Sequence, residues 1–341
     1  MNMRLPAIAA ATAAILSFSA PAMARDTLQI AGSSTVLPFA SVVAEQFARQ
    51  FPQFRTPVVG SGGTGGGMRQ FCQGVGANTI DVAMASRPIR PAELESCRNN
   101  GVREIIQVRI GYDGIVFASR RGGPAFALEP RHVFLAQARE VPQGGRMVPN
   151  PFTRWSQIDP ALPDQEITLV IPDSNHGTRE VYEERVTTPG CEALPEARAI
   201  ADARARSAFC TATRADGRVI QVAGDYTETL ARLAAQPHAV GVFGMTFFDT
   251  NRDRLQVATM SGVTPSDATI ESGQYPVARA LYIYLKGAHI GVIPGLQEFA
   301  EFFISPGMSG RGSPLDRAGL IPLSARERTQ VLNTIRARQS L

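Results

Sequence analysis

The fold is decided by residues 27–86, which read TLQIAGSSTVLPFASVVAEQFARQFPQFRTPVVGSGGTGGGMRQFCQGVGANTIDVAMAS. Three short apolar runs, at Thr27–Ala31, Thr56–Val59 and Ile80–Ala85, have the length and composition of β-strands. Between the first two, apolar residues recur at helical spacing over 39–51, which predicts an amphipathic helix. Strands that alternate with helices form a parallel sheet with helices on both faces. The sequence therefore predicts an α/β fold.

The rest of the chain repeats this alternation. We expect further strands at Val102–Val108, Gly114–Ser119, Glu166–Ile171, Ala239–Met245, Leu255–Met260 and Val277–Leu285. We expect further helices at Met68–Gln73, Arg179–Val186, Thr227–Ala235, Pro294–Ile304 and Ser324–Arg338. At about 150 residues per domain, the length predicts two domains. The Gly- and Pro-rich stretch from Arg120 to Asn150 is a candidate crossing between them.

The first 24 residues have the three parts of a secretory signal peptide. Arg4 supplies the basic start, residues 8–18 are apolar, and Ala22-Met23-Ala24 has the small-x-small form of a cleavage site. The apolar stretch is too short for a membrane anchor, and no later apolar run reaches about 18 residues. We therefore expect export to the periplasm and cleavage after Ala24.

The charge composition argues against several classes of partner. The 34 Lys and Arg residues outnumber the 30 Asp and Glu residues only slightly, and the basic residues are scattered. This pattern does not favour nucleic-acid binding or a polybasic membrane contact. Lys286 is the only lysine, so an anion site must rely on arginine, hydroxyl groups and backbone N–H groups.

The four cysteines are Cys72, Cys97, Cys191 and Cys210. In an oxidising compartment an even number of cysteines predicts disulfides, and three pairings are possible. Pairing of sequence neighbours, Cys72 with Cys97 and Cys191 with Cys210, puts one disulfide in each half of the chain, and we favour it. A zinc site is the alternative, but there is no CxxC pair and no histidine near these cysteines.

Three polar loops, Gly32–Thr35, Gly60–Gly67 and Asp173–Thr178, each follow a predicted strand and precede a predicted helix. That position is the carboxyl edge of a parallel sheet, where α/β proteins bind ligands. Free N–H groups at a helix start suit an anion, and Ser and Thr add hydroxyl donors. Helix capping alone is the alternative for any single loop. The three loops together favour a shared anion site.

Two other classes of function receive less support. Gly60–Gly65 formally matches GxGxxG, with Asp81 at a suitable distance for a ribose contact, but an exported protein rarely meets NAD. A hydrolase needs a nucleophile with a base, yet Ser34 is not in a GxSxG motif. The histidines are far apart in sequence, at His132, His176, His238 and His289. Asp173 and His176 alone lack the further ligands that a metal or acid–base site needs.

Several motifs together resemble the phosphate-binding proteins of ABC phosphate transporters. They are Ala31–Val36 (AGSSTV), Gly63–Gly67 (GTGGG) at a helix start, Asp81–Pro88 (DVAMASRP), Gly177-Thr178 at a helix start, Ala239–Gly244 (AVGVFG) and Tyr275–Tyr284 (YPVARALYIY). The resemblance covers most of residues 27–309. It implies a two-lobed periplasmic binding fold of type II, in which each lobe is a mainly parallel sheet flanked by helices and two crossover strands join the lobes. The first lobe would hold residues 26–117 and 255–341, and the second would hold 118–254.

The resemblance implies that hydroxyl and backbone ligands carry over onto Ser34 or Thr35, Thr64, Gly177 and Thr178. The full set of candidate ligand residues is Ser34, Thr35, Thr64, Gly65, Ser86, Arg87, Asp113, His176, Gly177 and Thr178.

Three positions depart from the common family pattern: Arg87 replaces an aspartate, Pro172 an arginine and His176 a serine. We expect Asp113 to replace the missing acceptor, with an Asp-Gly turn as the alternative. We expect Arg87 to supply the missing positive charge, with a surface ion pair as the alternative. His176 would add a donor, and a positive charge if it is protonated below a pH of about 6.5.

The function that this sequence implies is a monomeric solute-binding protein that captures inorganic phosphate and delivers it to the permease subunits of an ABC transporter. It would need no cofactor, metal or catalytic step, and no nucleic acid. The alternatives are another oxyanion such as sulfate or a phosphonate, a sensor that reports phosphate without feeding a transporter, and a secreted phosphatase-like hydrolase.

Overall fold

The computed structural model describes residues 25–174, 178–223 and 226–341. The predicted signal peptide and two candidate ligands, His176 and Gly177, lie outside the described residues. The strands are β1 (Gln29–Gly32), β2 (Val58–Ser61), β3 (Val82–Ala85), β4 (Ile105–Arg120), β5 (Ala127–Leu128), β6 (Glu140–Gln143), β7 (Arg146–Pro149), β8 (Leu169–Pro172), β9 (Val219–Val222), β10 (Val240–Gly244), β11 (Leu255–Val257), β12 (Thr259–Met260) and β13 (Ala278–Lys286). The helices are α1 (Leu37–Gln50), α2 (Gly63–Phe71), α3 (Pro91–Asn99), α4 (Pro130–Gln137), α5 (Trp155–Ile158), α6 (Thr178–Tyr182), α7 (Thr188–Glu192), α8 (Pro195–Arg198), α9 (Ala203–Thr211), α10 (Tyr226–Ala235), α11 (Met245–Thr250), α12 (Asp267–Glu271), α13 (Leu296–Phe303), α14 (Pro306–Ser309), α15 (Pro314–Arg317) and α16 (Ala325–Arg336). A π-helical turn, Glu183–Thr187, joins α6 to α7, and a 3-10 turn, Gly287–His289, follows β13.

The first lobe is built on a sheet in the order β2-β1-β3-β13-β4. The neighbours β2, β1 and β3 are parallel, whereas β13 is antiparallel to β3 and β4. On one face α1 and α13 pack through rings such as Phe47 and Phe299, whose centroids are 5.5 Å apart. On the other face Met68 and Phe71 of α2 pack against Tyr284. Both faces of the sheet are therefore covered, as the alternating sequence pattern predicts.

The second lobe is built on a sheet in the order β4-β10-β8-β9, with β11 also paired to β4. β8 is parallel to β9 and β10, and β10 is antiparallel to β4. Its core contains fully buried large side chains, including Trp155, Tyr182 and Phe243. The chain is thus a two-lobed α/β protein, which confirms the predicted fold class.

The strand β4 belongs to both sheets. Its residues 105–114 pair with β13, and its residues 115–119 pair with β10. The sequence instead predicts two strands, Val102–Val108 and Gly114–Ser119, with an Asp-Gly turn before the second as the alternative role for Asp113. The turn does not form because the backbone of Tyr112 exchanges two hydrogen bonds with Ile321, each 2.9 Å long, and this holds the chain extended. The crossing between the lobes lies here, and not in the stretch from Arg120 to Asn150, which folds into the second lobe.

A second connection between the lobes runs from Tyr275 into β13. The phenol of Tyr275 donates to the carbonyl oxygen of Ile115 at 2.9 Å, and the N–H of Ile115 donates to the carbonyl oxygen of Val277 at 3.2 Å. Farther on, Leu320 lies in the first-lobe core and Ile321 in the second-lobe core. The segment around Ile321 therefore packs against the second lobe beside the two crossing strands, before Ile335 of α16 returns to the first-lobe core.

The packing divides the C-terminal part of the chain differently from the sequence-based boundary at residue 255. Leu255, Ala258 and Met260 lie in the second-lobe core, and β11 pairs with the second-lobe half of β4. The first lobe resumes at β13, because Leu281, Ile283 and the helices after it pack in the first-lobe core. The change of lobe thus falls close to Val277.

Both predicted disulfides are present. Cys72 is joined to Cys97 in the first lobe, and Cys191 is joined to Cys210 in the second. Among the described residues no group of three or more His, Cys, Asp or Glu side chains is placed to hold a metal ion. None of the described helices is both long and apolar enough to span a membrane.

Candidate functional site

The parallel strands β1, β2 and β3 end at the same edge of the first-lobe sheet. The residues after them are Ser33–Thr35, Gly62–Thr64 and Ser86. The N–H of Ser86 donates to the Thr64 hydroxyl oxygen at 3.1 Å, and the two hydroxyl oxygens are also 3.1 Å apart. The structure therefore brings together candidate ligands that lie far apart in sequence.

The glycine-rich segment is partly helical, because α2 already begins at Gly63. The sequence predicts a loop up to Gly67. The reason for the difference lies in packing: a Cβ atom on Gly67 would lie 2.4 Å from the Cα of Gly32 and 2.8 Å from the carbonyl oxygen of Ala31. Glycine at this position lets α2 lie directly on β1. This contact places the first turn of α2, with Thr64 and Gly65, at the sheet edge.

The helices at this edge begin without a side-chain cap. The structure gives neither α1 nor α2 a hydrogen bond from an N-cap side chain. Capping, the alternative reading of these Ser- and Thr-containing loops, therefore does not account for the hydroxyl groups here. Backbone N–H groups at uncapped helix starts are suited to an anion.

The parallel strands β8, β9 and β10 form the corresponding edge of the second lobe. Thr178 is the first residue of α6, Tyr226 is the first residue of α10, and their hydroxyl groups are hydrogen-bonded to each other. Burial raises the pKa of the Tyr226 phenol, so this group remains protonated at neutral pH. The hydroxyl of Thr246, at the start of α11, is buried and has no hydrogen-bond partner among the described residues.

The two edges enclose a cavity of about 780 Å³ between the lobes. Four of the candidate ligand residues line it: Ser34, Thr35, Asp113 and Thr178. The other walls come from α1, the starts of α10 and α11, and the segment around α15; they include Phe39, Tyr226, Thr246, Phe247, Asp316 and Arg317. A cavity of this kind between two lobes is a common place for a small ligand.

A buried cation next to this cavity is Arg279, the second residue of β13. Its side chain is 1% exposed, and its Nη2 donates to the Thr35 hydroxyl oxygen at 3.0 Å. It also donates to Asp113 at 3.4 Å and to Glu184 at 2.5 Å. Arg279 therefore links the first-lobe hydroxyl groups, the crossover strand β4 and the second lobe.

Asp113 lies on β4 at the point where the strand passes from one lobe to the other. Burial raises the pKa of its carboxyl group above the usual range, although the neighbouring Arg279 acts in the opposite direction. Its Oδ2 atom accepts from Arg279 Nε. The Asp-Gly turn that was the alternative role for this residue does not form. Asp113 is instead a cavity-lining acceptor.

A carboxylate of the second lobe reaches the same hydroxyl groups. Glu180, in α6, accepts from the Thr35 hydroxyl at 2.6 Å and from the Ser34 hydroxyl at 3.2 Å. Its other carboxylate oxygen lies 3.8 Å from Arg279 Nη1. These contacts join the two lobes directly across the cleft.

Arg87 forms a two-point salt bridge with Glu93, at 2.7 and 2.9 Å. The hydrogen bond to Glu93 raises the pKa of Arg87 further, so both groups are fully charged. This is the ion pair that the sequence analysis keeps as the alternative for Arg87. Arg87, like Thr64, Gly65 and Ser86, is not among the residues that line the cavity between the lobes.

Arg279 and Glu180 are not among the candidate residues predicted from the sequence. A signal for Arg279 exists, because it is the only charged residue in the apolar run from Val277 to Leu285. A lone arginine in a buried strand needs an acidic or hydrogen-bonding partner, so it indicates a polar cluster inside the fold. Glu180 carries no such signal, because an acidic residue in the first turn of a helix is common for electrostatic reasons.

The comparison with family models shows the class of the protein. The model of the PBP superfamily domain matches residues 19–306, and the chain belongs to this family.

Particular relatives resemble the chain over most of its length. The phosphate-binding protein PstS of Staphylococcus saprophyticus is 28% identical over 304 residues, which cover 88% of this chain and 81% of the relative. A possible phosphate-binding protein from Planctomyces limnophilus has a structure similar to this one, with a TM-score of 0.70, 24% identity and coverage of 93% of this chain and 100% of that chain. An ABC-type phosphate transport receptor from Vibrio cholerae has a TM-score of 0.57, 18% identity and coverage of 86% and 100%. The resemblance noted from the motifs is therefore confirmed.

Proposed function

We propose that this chain is a periplasmic solute-binding protein that captures inorganic phosphate in the cleft between its lobes and delivers it to an ABC permease. The observation that carries the proposal is the buried Arg279 guanidinium, which donates to the Thr35 hydroxyl at the shared edge of three parallel strands. The Staphylococcus relative is named a phosphate-binding protein, and the Vibrio structure is an ABC-type phosphate transport receptor. Both names support phosphate as the ligand and ABC transport as the role.

The donor chemistry of the cleft fits a tetrahedral oxyanion. The first lobe offers the hydroxyl groups of Ser34 and Thr35 and the uncapped start of α1. The second lobe offers the hydroxyl groups of Tyr226 and Thr246, and the Arg279 guanidinium donates to the Thr35 hydroxyl beside the cavity. Hydrogen bonds to a charged partner contribute roughly 1.5–3 kcal/mol each, so a few of them suffice for tight binding. Binding would require the lobes to close about β4 and the start of β13.

Selectivity for phosphate over sulfate would come from an acceptor. Phosphate keeps a proton near neutral pH, whereas sulfate has none to donate. Asp113 lines the cleft, and its carboxylate can accept a hydrogen bond from the phosphate O–H group. Asp113 is one of the candidate ligand residues predicted from the sequence. Asp113→Asn should therefore weaken phosphate binding and reduce the discrimination against sulfate. Equal selectivity in the variant and the wild type would remove Asp113 from this role.

The proposal is tested by isothermal calorimetry of residues 25–341 against phosphate, sulfate and a phosphonate. Thr35→Val removes one hydroxyl group with little change of shape and should weaken phosphate binding about tenfold or more. The matched control is Thr329→Val, because that hydroxyl lies on the exposed side of α16 and donates only to the carbonyl oxygen of Ala325. If the wild type binds sulfate or a phosphonate more tightly than phosphate, the proposed ligand is wrong. If none of the three binds, the proposed function is wrong.

Delivery to a permease needs a cellular test. Deleting the gene for this chain from its host should reduce phosphate uptake at low external phosphate, and restoring the wild-type gene should restore uptake. The Thr35→Val variant should restore it only in part. Normal uptake in the deletion strain, with purified protein that binds phosphate, would favour a sensor role instead.

A further inference from the structure

Glu180 occupies an unusual position for a carboxylate in an anion-binding cleft. It belongs to the second lobe, yet it accepts hydrogen bonds from Thr35 at 2.6 Å and from Ser34 at 3.2 Å in the first lobe. Its second oxygen lies 3.8 Å from the Arg279 guanidinium. A carboxylate held by two hydroxyl groups beside a guanidinium has the same donors around it as a bound oxyanion would have.

The two acidic residues nearest to Glu180 in sequence form salt bridges with arginines. Glu184 binds Arg279 at 2.5 Å, and Glu183 binds Arg179 at 2.6 Å. No hydrogen bond joins either of them to Ser34 or Thr35 in the part of the chain that the structure describes. Glu180 is therefore the carboxylate that meets the first-lobe hydroxyl groups.

These donors cannot serve Glu180 and an incoming phosphate at the same time. The Thr35 hydroxyl has one proton, and it now points to Glu180 because the same oxygen accepts from Arg279. In addition, Arg279 already has Asp113, Glu180 and Glu184 as acidic neighbours, so a further anion meets like-charge repulsion. The side chain of Glu180 is 44% exposed, which leaves it a route into solvent.

We infer that Glu180 is an internal competitor of the ligand. In the unliganded protein its carboxylate holds the first-lobe donors and ties the lobes together across the cleft. Phosphate must displace it, so Glu180 weakens binding and sets the affinity of the site. This inference rests on the proposed function for the identity of the ligand, but the link between the lobes does not depend on it.

The first experiment compares phosphate binding by calorimetry in three variants at two positions of the same helical stretch. Glu180→Ala should raise the affinity for phosphate about tenfold or more, since one charge-assisted contact no longer has to be broken. Glu180→Gln keeps an acceptor without the charge and should give a smaller rise. Glu183→Gln, which changes an equally acidic neighbour that binds Arg179, should change the affinity less than twofold. Unchanged or weaker binding in Glu180→Ala would overturn the inference.

The second experiment measures the distance between the lobes without any ligand. Spin labels are attached at Glu45→Cys in α1 and Gln236→Cys beyond α10, both of which are exposed. The four native cysteines are engaged in disulfides and do not compete for the label. Adding Glu180→Ala should shift the distance distribution to longer or broader values, whereas adding Glu183→Gln should not. Identical distributions would show that Glu180 does not tie the lobes together.

The two experiments separate this inference from the proposed function. A wild-type protein that does not bind phosphate contradicts the proposed function. In that case the spin-label distances still test whether Glu180 ties the two lobes together. A wild-type protein that binds phosphate, with no gain in Glu180→Ala, contradicts only the internal competitor.

Discussion

Replacing Gly67 with alanine should separate α2 from β1 and disturb the cleft. The added Cβ atom would lie 2.4 Å from the Cα of Gly32 and 2.8 Å from the carbonyl oxygen of Ala31. Non-bonded carbon atoms prefer about 3.5–4.0 Å, so α2 would have to move away by roughly 1 Å. Both contacts are backbone atoms of a central strand, which cannot turn aside as a flexible side chain could.

The expected cost follows from that overlap. Overpacking of a core position costs typically about 1–3 kcal/mol, and the gain of up to about 1 kcal/mol from replacing a helical glycine offsets part of it. We therefore expect the free energy of unfolding to fall by about 1–2 kcal/mol. Phosphate binding should weaken as well, because the clash falls on Ala31 and Gly32, directly before the cavity-lining residues Ser34 and Thr35.

The adjacent glycine provides a matched control. A Cβ atom on Gly66 would have the end of the Arg69 side chain as its nearest neighbour, at 3.8 Å, which is an ordinary contact. Gly66→Ala should therefore stabilise the protein by about 0.5–1 kcal/mol through helix propensity alone. Urea unfolding followed by circular dichroism measures both variants, and calorimetry measures phosphate binding. Equal stability changes in Gly66→Ala and Gly67→Ala would refute the packing argument.

Two further predictions concern groups outside the cleft. Burial lowers the pKa of Lys286 to about 8, whereas a lysine in the unfolded chain titrates near 10.4. Between these pH values the unfolded state binds more protons than the folded state. The free energy of unfolding should therefore rise from about pH 8 to pH 10, by up to about 3 kcal/mol. Lys286→Met should remove that rise in urea midpoints measured at pH 7, 8, 9 and 10, and an unchanged rise would assign it to other groups. Replacing Cys191 and Cys210 together with alanine should lower the free energy of unfolding by about 3 kcal/mol, because the disulfide closes a loop of 19 residues. Urea unfolding of the variant and the wild type measures this difference, and equal midpoints would contradict it.

Much of the local structure follows from the sequence because local rules decide it. The runs that become β1, β3, β8 and β10 are short and apolar, and polar loops flank them. Such runs form buried strands whichever strands they pair with. The disulfides join sequence neighbours, which is the pairing that the sequence favours among three possible ones. The placement of Ser34, Thr35 and Thr178 at strand ends follows from the strand–loop–helix order.

Predictions from local sequence rules were wrong where a contact between distant segments determines the backbone conformation. Tyr112-Asp113-Gly114 has the composition of a turn, yet it stays extended, because Ile321 pairs with Tyr112 from more than 200 residues away. The glycine-rich segment has the composition of a flexible loop, yet it is helical from Gly63, because α2 packs on β1. In both places the tertiary contact outweighs a weak local preference.

The sequence by itself determined the fold class and the set of polar loops from which a site can be built, and it favoured the disulfide pairing that the structure has. Only the tertiary structure decided which charged groups meet there. Arg279 and Glu180 are 99 positions apart from each other along the chain and far from Thr35, and no spacing rule connects them. They meet because two separate sheets share β4 and therefore present their strand ends to the same cleft. Charges interact through space, so the pairing of these groups depends on distances that exist only after the two lobes have folded.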